Sequence, residues 1–188
     1  TMKANTVAVI SDGSAVLGLG NIGAYAALPV MEGKAVLFKE FGQINAVPIC
    51  LDTQDTEEII KTIVNIAPAF GGINLEDISA PRCFEIEERL KELLDIPVFH
   101  DDQHGTAIVV LAGIINALKV TGKQKDSCKV IVNGAGSAGI AITKLLLTYG
   151  FSHITMCDIN GILSKNSPNL NYMQKYMTEV TNLEEKEG

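Results

Sequence analysis

Apolar residues fall into short blocks along this chain, and the spacing within the blocks switches between two periods. Thr6–Ser11 (TVAVIS) is a β-rich apolar run that closes on the turn pair Asp12-Gly13. Residues 46–52 (AVPICLD) repeat that pattern and end on an acid. Residues 53–58 then supply cap residues and first-turn acids, and Ile59, Ile60, Ile63, Val64 and Ile66 continue at helical spacing. Residues 71–77 (GGINLED) predict a strand after a Gly-Gly break, 84–94 an amphipathic helix and 97–99 a short strand. Residues 106–118 are apolar on almost every side, which predicts a buried helix. A strand at 128–133, a helix over Ser137–Tyr149 and a strand over His153–Asp158 follow. Residues 33–38 predict a turn leading into an apolar run, with Pro29 and Gly33 interrupting any long helix there. Beyond Ser164 the chain reads as a polar tail rich in Asn, Glu and Lys. Strands alternating with helices give an α/β fold with parallel sheet. The domain boundary is expected near residues 100–103, which divides the chain into 1–101 and 102–188.

Charge narrows the partners. The 188 residues carry 15 basic and 22 acidic side chains, a formal balance of −7, and 47% are apolar, as in a globular core. Arg82 and Arg89 are the only arginines and sit in one acidic helical stretch, so no nucleic-acid groove is expected. The uncharged run 13–31 is 19 residues long but holds four glycines, Asn21 and Pro29, so no membrane span is expected from it. Cys50, Cys83, Cys128 and Cys157 are widely separated, with no C-x-x-C pair, and the first residues carry no signal-peptide pattern. A reducing, cytoplasmic location is the expectation.

Gly134-Ala135-Gly136-Ser137-Ala138-Gly139 is a G-x-G-x-x-G that follows a predicted strand and opens a predicted helix. Asp158 ends the next predicted strand, 19 residues beyond Gly139, the spacing of an acid that binds an adenosine ribose. The first glycine allows a tight turn, the second lets backbone N–H approach a pyrophosphate, and the third lets helix pack on strand. Asp158 favours NAD, because an acid repels the 2′-phosphate of NADP; NADP stays as the alternative. A Gly-rich turn that binds nothing is the competing reading. Gly18-Leu19-Gly20-Asn21-Ile22-Gly23 fits the same pattern in the wrong context, with no acid at the end of a second strand, and reads as a backbone turn.

Glu76-Asp77 and Asp101-Asp102 each follow an apolar strand-like run, where open α/β sheets bind ligands. Two such pairs face to face would need a cation, and Mg²⁺ or Mn²⁺ suits oxygen donors; solvated helix caps are the alternative. His100 and His104 have the H-x3-H spacing of a zinc site, yet they sit in a turn entering the next helix. Lys34, walled by apolar residues, would lose its proton easily and serve as a base, or else snorkel at the surface; Lys39 is its rival.

Five runs together carry more than any one motif: VAVISDGSAVLGLGNIG, LPVMEGKAVLFKEFG, INLEDISAP, FHDDQHGTAIVVLAGIINAL and VIVNGAGSAGIAI. In this order they closely resemble the malic enzymes, in particular the shorter bacterial-type ones, and the likeness spans about residues 5–163. The resemblance implies a parallel-sheet substrate and metal domain followed by an incomplete Rossmann domain. It implies L-malate + NAD(P)⁺ → pyruvate + CO₂ + NAD(P)H, with Mg²⁺ or Mn²⁺. On it, Lys34 matches the general base on the C2 hydroxyl, and Asp101 the acid near that lysine. Glu76, Asp77 and Asp102 match the metal ligands, Gly134 to Gly139 and Asp158 the cofactor site, and Thr106 a cofactor contact. Gly18 to Gly23 falls on the substrate side. A homodimer is implied by the bacterial type.

The chain departs from the family pattern in two places. Tyr25, Tyr149, Tyr172 and Tyr176 do not match the family's proton-donating tyrosine, and Ala15 stands where many members carry a carboxylate-binding arginine. A central piece truncated at both ends, inactive alone and either oligomeric or poorly stable, is the expectation. Two other readings compete: a metal-independent dehydrogenase resembling amino-acid dehydrogenases, and a non-catalytic nucleotide-binding module.

Overall fold

Continuous apolar strands are stable when helices cover both faces of a parallel sheet. The computed structural model describes residues 1–186 and 188 and divides into two units, Thr1–Asp101 and Asp102–Gly188. In the first unit β1 (Thr6–Ser11), β2 (Asn45–Cys50), β3 (Gly72–Leu75) and β4 (Val98–His100) form one sheet in the order β2-β1-β3-β4. Every pairing is parallel, with Ile10 opposite Leu75 and Leu75 opposite His100. Ala8, Val9 and Ile10 of the central β1 are fully buried. Helices α1 (Gly23–Gly42), α2 (Thr56–Ile66) and α3 (Arg82–Leu93) make the crossovers. Asp55 caps α2 by accepting the Glu58 N–H, and Ile59, Ile60 and Ile63 form its buried stripe.

Helix α1 corrects the sequence reading, which broke this stretch at Pro29 and Gly33. It runs unbroken for 20 residues. A mid-helix proline leaves the carbonyl four residues earlier without its donor. Here that residue is Tyr25, which is 84% exposed, so solvent can take up the freed carbonyl.

The second unit holds α4 (Asp101–Thr121), which starts on the last residue of the first, then β5 (Lys129–Asn133), α5 (Ser137–Tyr149) and β6 (His153–Asp158). A short β7 (Gly161–Ile162) and α6 (Tyr172–Val180) complete it. β5 and β6 pair in parallel, and β7 adds antiparallel to β6. Leu146, Phe151 and Ile154 form the core, with Leu111, Ile114 and Leu118 of α4 packed against them. The prediction that 106–118 is buried fails. Ile108 and Val109 are 57% and 66% exposed, while Leu111, Ile114 and Leu118, on another face of α4, pack on the core of the second unit. By length and hydropathy α4 is long and apolar enough to cross a membrane, but it begins with Asp101 and Asp102 and packs on a sheet. The supposed polar tail contains α6, whose Asn171 and Gln174 form a reciprocal capping box ahead of buried Met173 and Met177.

Candidate active site

Neighbouring parallel strands that end level deliver their next residues to one place. β3 delivers Glu76 and Asp77, both buried, and β4 runs directly into Asp101 and Asp102 in the first turn of α4. One carboxylate oxygen from each of Glu76, Asp77 and Asp102 lies within 4.8 Å of the others. Asp77 adopts a left-handed backbone (φ 54°), and the Ala15 N–H donates to its carbonyl at 2.9 Å. Asp tolerates that conformation better than most residues.

Lys34, from the middle of α1, reaches these acids. Its Nζ donates to Asp101 Oδ2 at 2.7 Å and lies 3.0 Å from Glu76 Oε2. Asn74 of β3 donates from Nδ2 to that same Glu76 oxygen at 2.9 Å. Burial pulls the Lys34 pKa down, but the hydrogen bond to Asp101 and the charge of Glu76 outweigh it, and the net shift is upward. This corrects the expectation of an easily deprotonated lysine: its surroundings are carboxylates rather than apolar walls. Burial raises the Glu76 pKa against the hydrogen bonds from Asn74 and Lys34. Asp77 is pushed up to about 6, first by burial and then by the Glu76 charge. The rival Lys39 bonds Asn45 Oδ1 on the exposed side of α1.

Three hard oxygen donors at this separation fit a small divalent cation, whose opposite ligands lie about 4–5 Å apart. Among the described residues, this trio is the one His/Cys/Asp/Glu group with metal-holding geometry, and neither His100 nor His104 belongs to it. His100 is fully buried at the end of β4, where its backbone N–H donates to Glu87 Oε1 at 3.1 Å. An apolar groove of about 540 Å³ adjoins the lysine, lined by Lys34, Leu37, Phe38 and Phe41 of α1 and by Asn74, Phe99 and Asp101.

In the second unit Gly134 to Gly139 link β5 to α5. Gly134 has φ 126°, and a Cβ on Gly139 would fall 1.8 Å from the Gly134 carbonyl oxygen. The close approach expected of the third glycine is therefore present. Gly136 is the N-cap of α5, Ala135 and Ser137 flank it, and Ala138 lies in the helix's first turn. Asp158 ends β6, the strand beside β5, and its Oδ1 accepts the Asn160 N–H at 2.7 Å. Thr106 is half-buried in α4.

The family model for the malic enzyme N-terminal domain matches residues 1–59 and 53–91, and that for the malic enzyme NAD binding domain matches 103–188. The chain belongs to the malic enzyme family. It is 62% identical, over its whole length, to 39% of an NAD-dependent malic enzyme of Geobacillus stearothermophilus. It is 59% identical to 46% of a bifunctional malic/malolactic enzyme of Bacillus subtilis, again over its whole length. The crystal structure of an NAD-dependent malic enzyme of Thermotoga maritima superposes on the whole chain with a TM-score of 0.96 at 55% identity, using 50% of that structure. The chain thus spans less than half the length of these two curated relatives. Malic enzyme relatives include NADP-dependent as well as NAD-dependent members.

Within this malic enzyme domain pair, sequence reasoning passed over one buried network. Asp12, nearly fully buried, accepts from Ser14 N and Oγ and from Arg82 Nη2 at 2.8 Å. Arg82 also donates to Ser14, Ser79 and the Gln54 carbonyl, tying together the loops that follow β1, β2 and β3. The only local trace was the Asp-Gly turn after β1.

Proposed function

We propose that this chain carries the lysine, the metal ligands and the dinucleotide loop of an enzyme that converts L-malate and NAD⁺ to pyruvate, CO₂ and NADH. The convergence of Lys34 with Glu76 and Asp101, beside an acidic trio of hard donors, is the observation that carries this reading. Glu76, Asp77 and Asp102 would hold Mg²⁺ or Mn²⁺. Bound there, the cation would acidify the C2 hydroxyl and, once hydride has passed from C2 to the nicotinamide, would draw charge towards the resulting ketone oxygen as the C3–carboxylate bond breaks and CO₂ leaves.

Lys34 moves the proton at Nζ. As a free amine it takes the C2 hydroxyl proton, and contacts with both Glu76 and Asp101 position its Nζ. The same two carboxylates keep Nζ protonated for as long as both are free to pair with it. Asp158 would receive the adenosine ribose hydroxyls, which favours NAD over NADP, with the glycine loop against the pyrophosphate and Thr106 as a further contact. The acidic charge balance supports a small-molecule partner rather than nucleic acid, and no membrane role is proposed. We assign a homodimer, and a cytoplasmic location in keeping with four free cysteines.

The deciding experiment titrates Mn²⁺ into the chain and into Asp102→Ala by calorimetry. One tight site in the unsubstituted chain, lost in Asp102→Ala, supports the reading. Equal binding by both removes Asp102 and with it the proposed cation site, and no binding by either removes the metal and favours a metal-independent dehydrogenase.

A further inference from the structure

Asn74 occupies a position where an aliphatic residue would be expected. It lies inside the parallel strand β3, all four of whose residues are buried, in the alternate row from Ile73 and Leu75. A buried amide in such a row is costly unless its hydrogen bonds are made. The Nδ2 bond to Glu76 Oε2 runs two residues along the same side of the strand. Lys34 Nζ meets that same oxygen at 3.0 Å. Two donors therefore converge on one oxygen of one carboxylate.

We infer that Asn74 is a positioning residue for Glu76: it fixes the carboxylate rotation so that Oε2 serves Lys34 and Oε1 is the oxygen left for the cation. The inference rests on the reading of Glu76, Asp77 and Asp102 as cation ligands. It extends the reading, because Asn74 is not one of the three ligands and acts through Glu76. A carboxylate free to rotate would offer either oxygen to either partner, and the ligand geometry would be present for only part of the time. Loss of an outer-shell partner of this kind lowers metal affinity by about 10–100-fold.

The test uses Asn74→Leu, similar in size and without a donor, and Asn74→Thr, β-branched to suit the strand and with a hydroxyl too short to reach Glu76 Oε2. Mn²⁺ affinity is measured by calorimetry and by the electron paramagnetic resonance signal of free Mn²⁺, and thermal unfolding is followed in chelator. A positioning role predicts at least tenfold weaker Mn²⁺ binding in both variants, with the metal-free unfolding temperature held or raised in at least one. Mn²⁺ affinity within twofold of the unsubstituted chain in either folded variant overturns the inference and leaves the metal reading standing. Absence of Mn²⁺ binding in the unsubstituted chain overturns both. Affinity that falls only in proportion to a lowered metal-free unfolding temperature assigns Asn74 to the fold and also overturns the inference.

Discussion

Asp77 combines a left-handed backbone, burial and a neighbouring carboxylate, and each of these disfavours its charge or its conformation. Its pKa of about 6 in the folded chain lies above its ordinary 3.8, so folding favours the protonated form. The stabilisation is therefore complete below about pH 4 and is lost as pH rises through 6. Asp77→Asn keeps a residue that tolerates φ above zero and removes the charge. At pH 7 without metal it is expected to raise stability by roughly 1–3 kcal/mol, with the gap closing below pH 4, as read by urea unfolding across that range. The same variant should lose Mn²⁺ binding. The acids at this site were legible in the sequence because each pair follows a strand-like apolar run. The role of Lys34 was legible only through the family resemblance, since nothing local says that a mid-helix lysine points at carboxylates. Asn74 and the Asp12–Arg82 network had no legible pattern, because partners 2 to 70 residues apart leave no periodicity.

At the scale of elements, periodicity worked where one face of an element was covered and failed where it was not. The strands and α2 follow their sequence patterns closely. Pro29 and Gly33 leave α1 unbroken because the cost of a mid-helix proline, about 3 kcal/mol, is a local term that tertiary packing of the rest of the helix can exceed, here through buried Ala24, Ala27 and Met31. α6 was hidden in a polar tail, although its Asn-x-x-Gln start is a capping box and its methionines lie four apart. The glycine loop offers a cleaner test of element and function together. Gly139→Ala places a methyl 1.8 Å from the Gly134 carbonyl oxygen, whereas a Cβ on Gly136 meets nothing within 4 Å. Gly139→Ala should lower both the unfolding temperature and NADH affinity. Gly136→Ala should leave unfolding unchanged and still weaken NADH at least tenfold, because the space it fills is the approach of the pyrophosphate. Fluorescence titration with NADH, beside differential scanning calorimetry, separates the two.

For the whole molecule, the telling property is the set of large apolar side chains left at the surface of both units. Val36, Phe41, Val109, Val120 and Ile131 are each at least 65% exposed. Val36 and Phe41 lie on α1, Val109 and Val120 on α4, and Ile131 on β5, so both units carry them. A net charge of −7 opposes association only weakly at physiological salt, where screening acts within about 8 Å. Sedimentation velocity on the isolated chain should therefore show mass increasing with concentration between 1 and 100 μM, and less so at low ionic strength. A single monomeric species throughout that range would contradict the expectation.

With a cation bound, the pairing of β3 with β4 would give the acidic trio a role in holding the sheet together. Asp77 and Asp102 are 25 residues apart in sequence and meet only after those two strands have found each other. An ion gripped by both would act as a clasp across that seam, absent from the unfolded chain and closing only in register. At a hundredfold excess over its dissociation constant it would add about 2.7 kcal/mol to folding. Chelation would then loosen the edge strand β4 first, seen as faster amide exchange along it while the deeply buried β1 stays protected.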